Sequence, residues 1–346
     1  MGKNSMKEVA RRLEYIDLMK GLGALLVVIG HMKYADFSDI ITKFIYGFHM
    51  PMFFWISGYL YKKPSSFFGY VIKKAKALLL PWVFFGVLYL LITLLSSGIH
   101  AFLSGVVGLF VKVVRDVPVE IGLWFLPVMF MTSVVYALVD LHISHNWIKN
   151  MLLVLMTIVG CEWTKLFHYL PFGISSMLPC VGFFAFGAWF HEKADKKMKE
   201  YINLHEVLSV IISALSIAIF GCLIMLNDRI SVRMGEYGIP ILGWLNAVAL
   251  TVSLFVLSFN VCERNVSSES RDMIITPITW LGNASIIVLC VNHPMLNISM
   301  SILKMVGLET DSLMMYVVHF VLAMALIVAS IWVFKLTPLK RIVGWK

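Results

Sequence analysis

Residues 20–31 read KGLGALLVVIGH. Ten small or aliphatic side chains stand between a lysine and a histidine. A stretch this apolar fits a membrane helix, where an ionisable group is costly and usually faces a partner or a cavity. At about 100° per residue, Lys20 and His31 are three turns and roughly 20° apart, so they share one helix face. Along the axis they are about 16 Å apart at 1.5 Å per residue. Asp17, three residues before Lys20, is placed to pair with it. The alternative for Lys20 is snorkelling to the lipid headgroups.

The rest of the chain has the same character. Of its 346 residues, 60% are hydrophobic and 14% charged, against about 25% charged in soluble domains. The mean hydropathy is +0.85. These values predict an all-α, polytopic membrane protein, with one membrane-embedded domain over residues 1–346. The five cysteines, at 161, 180, 222, 262 and 290, show no CxxC and no ligand spacing. Neither a disulfide framework nor a zinc site is expected.

About 20 apolar residues cross a bilayer core. Ten candidate spans follow, at 16–34, 42–61, 77–96, 122–140, 148–163, 177–191, 205–226, 237–260, 277–300 and 313–334. Segment 99–118 contains glycines and ends near Lys112, Arg115 and Asp116; it reads as interfacial or re-entrant. With the N-terminus inside, twenty Lys and Arg fall in cytoplasmic segments and eight in outer ones. The positive-inside rule then predicts a multi-pass cell-membrane protein with both termini cytoplasmic. That distribution also explains the formal charge of +9 without nucleic acid. The expected partners are small or lipid-linked substrates and the membrane lipids.

The polar residues inside the spans narrow the chemistry. In the second span, FHMPMFFWISGYLY (48–61), His49 lies in the outer half. Pro51 is expected to kink the helix there and free backbone carbonyls. In the ninth, WLGNASIIVLCVNHPML (280–296), Asn292 and His293 also fall in the outer half, just before a proline. His31, His49 and His293, from three spans, thus share one depth, which predicts a polar cavity. A metal site is disfavoured because no carboxylate lies at that depth in these spans. One histidine acting as a base, with the others binding or orienting, fits better. Trp124, in GLWFLP (122–127), opens the fourth span; by itself it reads as an interfacial aromatic.

These segments resemble a known family. YIDLMKGLGALLVVIGH (15–31) is similar to the first-helix signature of the acyltransferase 3 family of integral membrane acyltransferases: a cation, ten residues, then a histidine. FHMPMFFWISGYLY, with His49 and Ser57–Gly58–Tyr59, resembles the family's second-helix motif. LWFLP and WLGNASIIVLCVNHPML resemble later segments. The similarity is to the compact sugar O-acetyltransferases without an appended domain. One departure is lysine at position 20, where many members carry arginine; lysine cannot form a bidentate fork to a phosphate.

The resemblance implies transfer of an acyl group, usually acetyl, from cytoplasmic acyl-CoA to a sugar hydroxyl at the outer face. Acetyl-CoA would be a substrate, with no metal needed. Lys20, Lys73, Lys74 and Lys76 would meet the donor phosphates, and Asp17 would orient Lys20. His31 would take the proton of the acceptor hydroxyl; a covalent acyl-His31 intermediate is the second route. His49, Trp124, Asn292 and His293 would line the acceptor end, for a free, polymeric or lipid-linked glycan. Two competing expectations are a proton-coupled transporter with the histidines as a relay, and a lipid carrier without chemistry.

Overall fold

The computed structural model describes residues 13–32, 38–113, 121–263, 271–308 and 312–344. Among them the architecture is all-α, and the one β-type contact is an isolated bridge between Ser231 and Glu236. The helices, in chain order, are α1 (Glu14–His31), α2 (Ser38–Tyr46), α3 (His49–Tyr59), α4 (Phe67–Lys74) and α5 (Leu80–Val107). They continue as α6 (Phe125–His142), α7 (Asn146–Leu166), α8 (Ile174–Trp189), α9 (Asp195–Leu204) and α10 (Glu206–Met225). The last four are α11 (Pro240–Glu263), α12 (Thr276–Asn283), α13 (Ser285–Met305) and α14 (Leu313–Leu336).

The chain is a polytopic membrane protein. Seven helical stretches among the described residues are long and apolar enough to cross a membrane. The first, second and fifth expected spans fall short of that standard. α1 has 18 residues and carries Glu14, Asp17 and Lys20. The second is broken into α2 and α3. α7 carries Lys149, Asn150 and Glu162. The burial of α1 explains why it tolerates charge. It packs against α3, α11, α12 and α13, and Asp17, Met19, Ala24 and Val28 are buried. A helix wrapped by other helices need not be apolar all round. By contrast α10 and α14 expose Ile211, Leu215, Met314 and Val321, as lipid-facing helices do.

Two helix pairs approach at backbone distance, and glycine makes that possible, as in other membrane helix interfaces. α1 meets α12 through Gly21 and Gly282. A Cβ built on Gly21 would lie 1.9 Å from the Ile278 carbonyl oxygen, and one on Gly282 would lie 1.9 Å from that of Asp17. α3 meets α8 through Gly58 and Gly187, where a Cβ would lie 1.9 Å from the Phe184 oxygen and 2.0 Å from the Trp55 oxygen. Around these seams lies an aromatic core: Trp55 stacks on Tyr59 at 5.2 Å, and Phe255 meets both rings edge-on or tilted at 5.7 Å.

Two local expectations are corrected. The second span breaks at Gly47 and Phe48, ahead of His49, and not at Pro51. Pro51 sits in the first turn of α3, where its missing N–H has no intrahelical acceptor to lose. The ninth span starts as α12, is interrupted at Ala284, and continues through Pro294 as α13. The chain reverses at Gly98, whose φ of 79° favours glycine, and residues 99–112 fold back along the first half of α5. There a Cβ on Gly86 would meet Leu109, and Phe110 lies edge-on to Trp82 at 5.3 Å. Residues 114–118 of the expected segment lie outside the described residues.

At the Lys20 end of α1, α9 is joined to α1 and α3. Lys199 donates to Asp195 Oδ2 at 2.8 Å, to the Tyr15 hydroxyl at 2.9 Å and to that of Tyr59 at 3.2 Å. Tyr59 in turn donates to Asp195 Oδ1 at 2.7 Å. This network ties α1, α3 and α9 together, and half-satisfied networks are costly. Tyr59→Phe, which removes one hydroxyl from it, is expected to destabilise the protein by about 1–3 kcal/mol. A thermal melt of the purified variant in detergent checks this; a melt matching wild type would mean the network is ornamental.

Candidate active site

The site forms where the His31 end of α1 meets α2, α3 and α13. His31 is the last residue of α1 and is partly exposed, while the adjoining Val28 and Met32 are buried. Its Nδ1 lies 2.8 Å from Asn292 Oδ1. The orientation of that amide is set on its other side: Asn292 Nδ2 donates to the carbonyls of Val288 at 3.0 Å and Leu289 at 2.8 Å, one turn back on α13. An amide oxygen can only accept. Nδ1 of His31 therefore carries the proton, and Nε2 holds the lone pair. This is the tautomer a base needs, held by a fully buried side chain.

His293 packs against His31 with ring centroids 4.3 Å apart and the rings tilted by 37°. His49 lies further back, linked through Tyr46. The Tyr46 ring is 6.3 Å from His31 and 5.2 Å from His49, edge-on to both. His49 is buried, and its Nδ1 donates to the Ile45 carbonyl at 2.7 Å. The structure thus brings the three expected histidines into one cluster. It gives them two environments: a pair in ring contact and a buried third. Among the described residues no group of three or more His, Cys, Asp or Glu is arranged to hold a metal ion.

Asn292, expected among the acceptor-lining residues, stands in direct contact with His31. Trp124 lies in a 3-10 turn, Ile121–Trp124, that packs on α13. The turn comes close because Gly122 has no side chain: a Cβ there would lie 2.6 Å from the Leu289 oxygen. Trp124 is buried and meets Phe125 edge-on at 6.2 Å, so it is a packed residue and not an interfacial one.

Two contributors escaped the sequence analysis. Tyr46 joins the histidines, and the Arg229 guanidinium lies over its ring at 4.6 Å, a cation–π contact. Arg229 and Arg233, from the loop between α10 and α11, both add positive potential at His31. The loop is held by its bridge, by Asn227 Nδ2 donating to the Tyr237 carbonyl at 3.0 Å, and by Ser176 donating to the Arg233 carbonyl. Arginines in a presumed outer loop carry no sequence signal beyond their charge.

At the opposite end of α1, Lys20 Nζ binds Asp17 Oδ1 at 3.1 Å, with the lysine side chain 25% exposed. The pairing follows the i, i+3 spacing. Lys73 and Lys74 end α4, and Lys76 lies in the π-helical turn after it; these elements pack on α6. Lys74 lies 5.5 Å from the Tyr70 ring centroid. No hydrogen bond or ion pair among the described residues joins these three lysines to Lys20.

One end of α1 thus carries His31 held by Asn292, and the other carries the Lys20–Asp17 pair. The acyltransferase 3 family model, described as an acyltransferase domain, matches residues 13–336. The chain belongs to that family. No curated protein matches it, and no solved structure does.

One outcome tests the orienting role of Asn292. Asn292→Leu removes the acceptor of the His31 Nδ1 proton while keeping a side chain branched at Cγ. Turnover is expected to fall by at least about tenfold, part of the 10²–10⁴-fold that a general base supplies, with KM little changed. Unchanged kcat would remove Asn292 from the machinery.

Proposed function

We propose that this membrane acyltransferase moves an acetyl group from acetyl-CoA, bound from the cytoplasmic side, to a hydroxyl of a sugar or surface glycan on the outer side. The observation that carries the proposal is the tautomer of His31, fixed by Asn292. A hydroxyl placed at Nε2 gives up its proton as its oxygen attacks the thioester carbonyl. The carbon–oxygen bond forms, and the tetrahedral intermediate collapses with loss of the carbon–sulfur bond. The departing thiolate takes the proton back from His31, leaving CoA and an O-acetyl ester. Positive potential from Arg229 and Arg233 favours the oxyanion of that intermediate.

Lys20 sits on the same continuous helix, about 16 Å from His31. It is the group proposed to meet a donor phosphate as a point charge, with Asp17 holding it. Lys73, Lys74 and Lys76 are proposed as the outer part of the donor site. His49, Trp124 and His293 are proposed to shape the acceptor end. The rival reading is a proton-coupled transporter with the histidines as a relay, and one experiment separates the two. Membranes containing the chain are given acetyl-CoA labelled in its acetyl group. Label is expected in the extracytoplasmic glycan fraction, with matching release of CoA. Intact acetyl-CoA after incubation with such membranes would overturn the proposal.

A further inference from the structure

Away from the histidines, a groove of about 660 Å³ runs between α9, α10 and α11. Its mouth is basic. Lys193 and Lys197 line it, one turn apart, with Tyr201 a turn further on. The other lysines of this segment are matched: Lys196 with Glu200 at 3.9 Å and Lys199 with Asp195 at 2.8 Å. Lys193 pairs only with its neighbour Glu192, both well exposed. Lys197 has no carboxylate within ion-pair distance among the described residues, and it is exposed. Exposed pairs of this kind contribute little, so both lysines are available to an anion.

Below the mouth the groove turns apolar, between Ile212 of α10 and Val248, Val252 and Val256 of α11. Within this apolar wall stand Ser213 and Ser253, which are 4% and 5% exposed and line the groove. A hydroxyl in a membrane-facing wall costs free energy unless it finds a partner.

We propose that this groove is a binding site for an anionic glycerophospholipid. The phosphate sits on Lys193 and Lys197, the ester carbonyls accept from Ser213 and Ser253, and one acyl chain lies along the valines. The groove joins cations at its mouth to a hydrocarbon wall that carries hydroxyls, the chemistry of an anionic headgroup, its ester linkages and its chains. Juxtamembrane lysines recognise anionic lipids by this charge complementarity. α9 also carries Lys199, which ties it to α1 and α3, so the lipid braces the helix that closes the Lys20 end of the bundle.

The full chain, purified in detergent, is incubated with phosphatidylglycerol or phosphatidylcholine of identical acyl chains and measured by native mass spectrometry. Phosphatidylglycerol is expected to bind at least about tenfold tighter. Lys193→Gln/Lys197→Gln should bring it down to the phosphatidylcholine level. Ser213→Leu/Ser253→Leu should weaken both lipids. Equal retention of the two lipids by wild type, or undiminished phosphatidylglycerol on the lysine variant, would overturn the proposal. So would glycerol 3-phosphate competing as well as the phospholipid, which would assign the lysines to a soluble anion. A dimer that forms through the groove, lost on Ser213→Trp, would overturn it in favour of a second copy.

Discussion

His31→Ala is expected to lower acyl transfer by about 10²–10⁴-fold, the range a positioned general base contributes, while acetyl-CoA binds as before. The separation of the two effects follows from geometry. His31 is at the far end of α1 from Lys20, about 16 Å away, so truncating it leaves the proposed phosphate contact in place. Its loss also leaves Asn292 with an unmatched acceptor, but the amide keeps its two carbonyl partners on α13, so the helix contact survives. Steady-state CoA release and equilibrium donor binding, measured on one preparation, check this. Loss of both in a folded protein would count against His31 as base, and full activity would eliminate it.

The largest effect on stability is expected at the glycine seams. Gly282→Ala and Gly58→Ala each place a methyl group 1.9 Å from a backbone oxygen, of Asp17 and Phe184 respectively. The obstacle is main chain, which cannot rotate away as a side chain does. The cost is therefore expected at or above the upper end of ordinary overpacking, about 3 kcal/mol. Gly282→Ala should also displace α1 and so disturb Lys20. Gly69→Ala is the control: in α4 its Cβ would lie 3.6 Å from Ser66, and its melt should match or exceed wild type. Thermal unfolding in detergent separates the three. A Gly282→Ala protein that melts with wild type would mean that the two helices slide apart without penalty.

The helical, membrane-embedded class was legible because hydropathy is a sum over many residues. So was the Lys20–Asp17 pair, since helical spacing alone places both. The histidine cluster was legible only as a shared depth. Depth orders residues along the membrane normal and says nothing of which faces meet, so the ring contact of His293 with His31 and the contact with Asn292 needed the fold. The break before His49 was misplaced because a proline is a stronger sequence signal than Gly47–Phe48, yet in a first helical turn it breaks nothing. The sequence placed both helices at the heart of the site among its ten spans, and hydropathy carries no record of what surrounds them. α1 and α3 are enclosed by neighbours, so their residues answer to those neighbours and not to lipid. Arg229 and Tyr46 come together from a loop and a short helix far apart in sequence, a pairing no spacing rule encodes.

The central claim is that one end of α1 holds an acyl-CoA donor and the other end uses it. Its most direct test is equilibrium binding of acetyl-CoA to the purified chain in nanodiscs, for wild type, Lys20→Ala and His31→Ala. Saturable binding to wild type is expected, weakened by Lys20→Ala and unaltered by His31→Ala. A well-folded wild type that binds no acetyl-CoA, or a Lys20→Ala protein that binds it equally well, would contradict the claim.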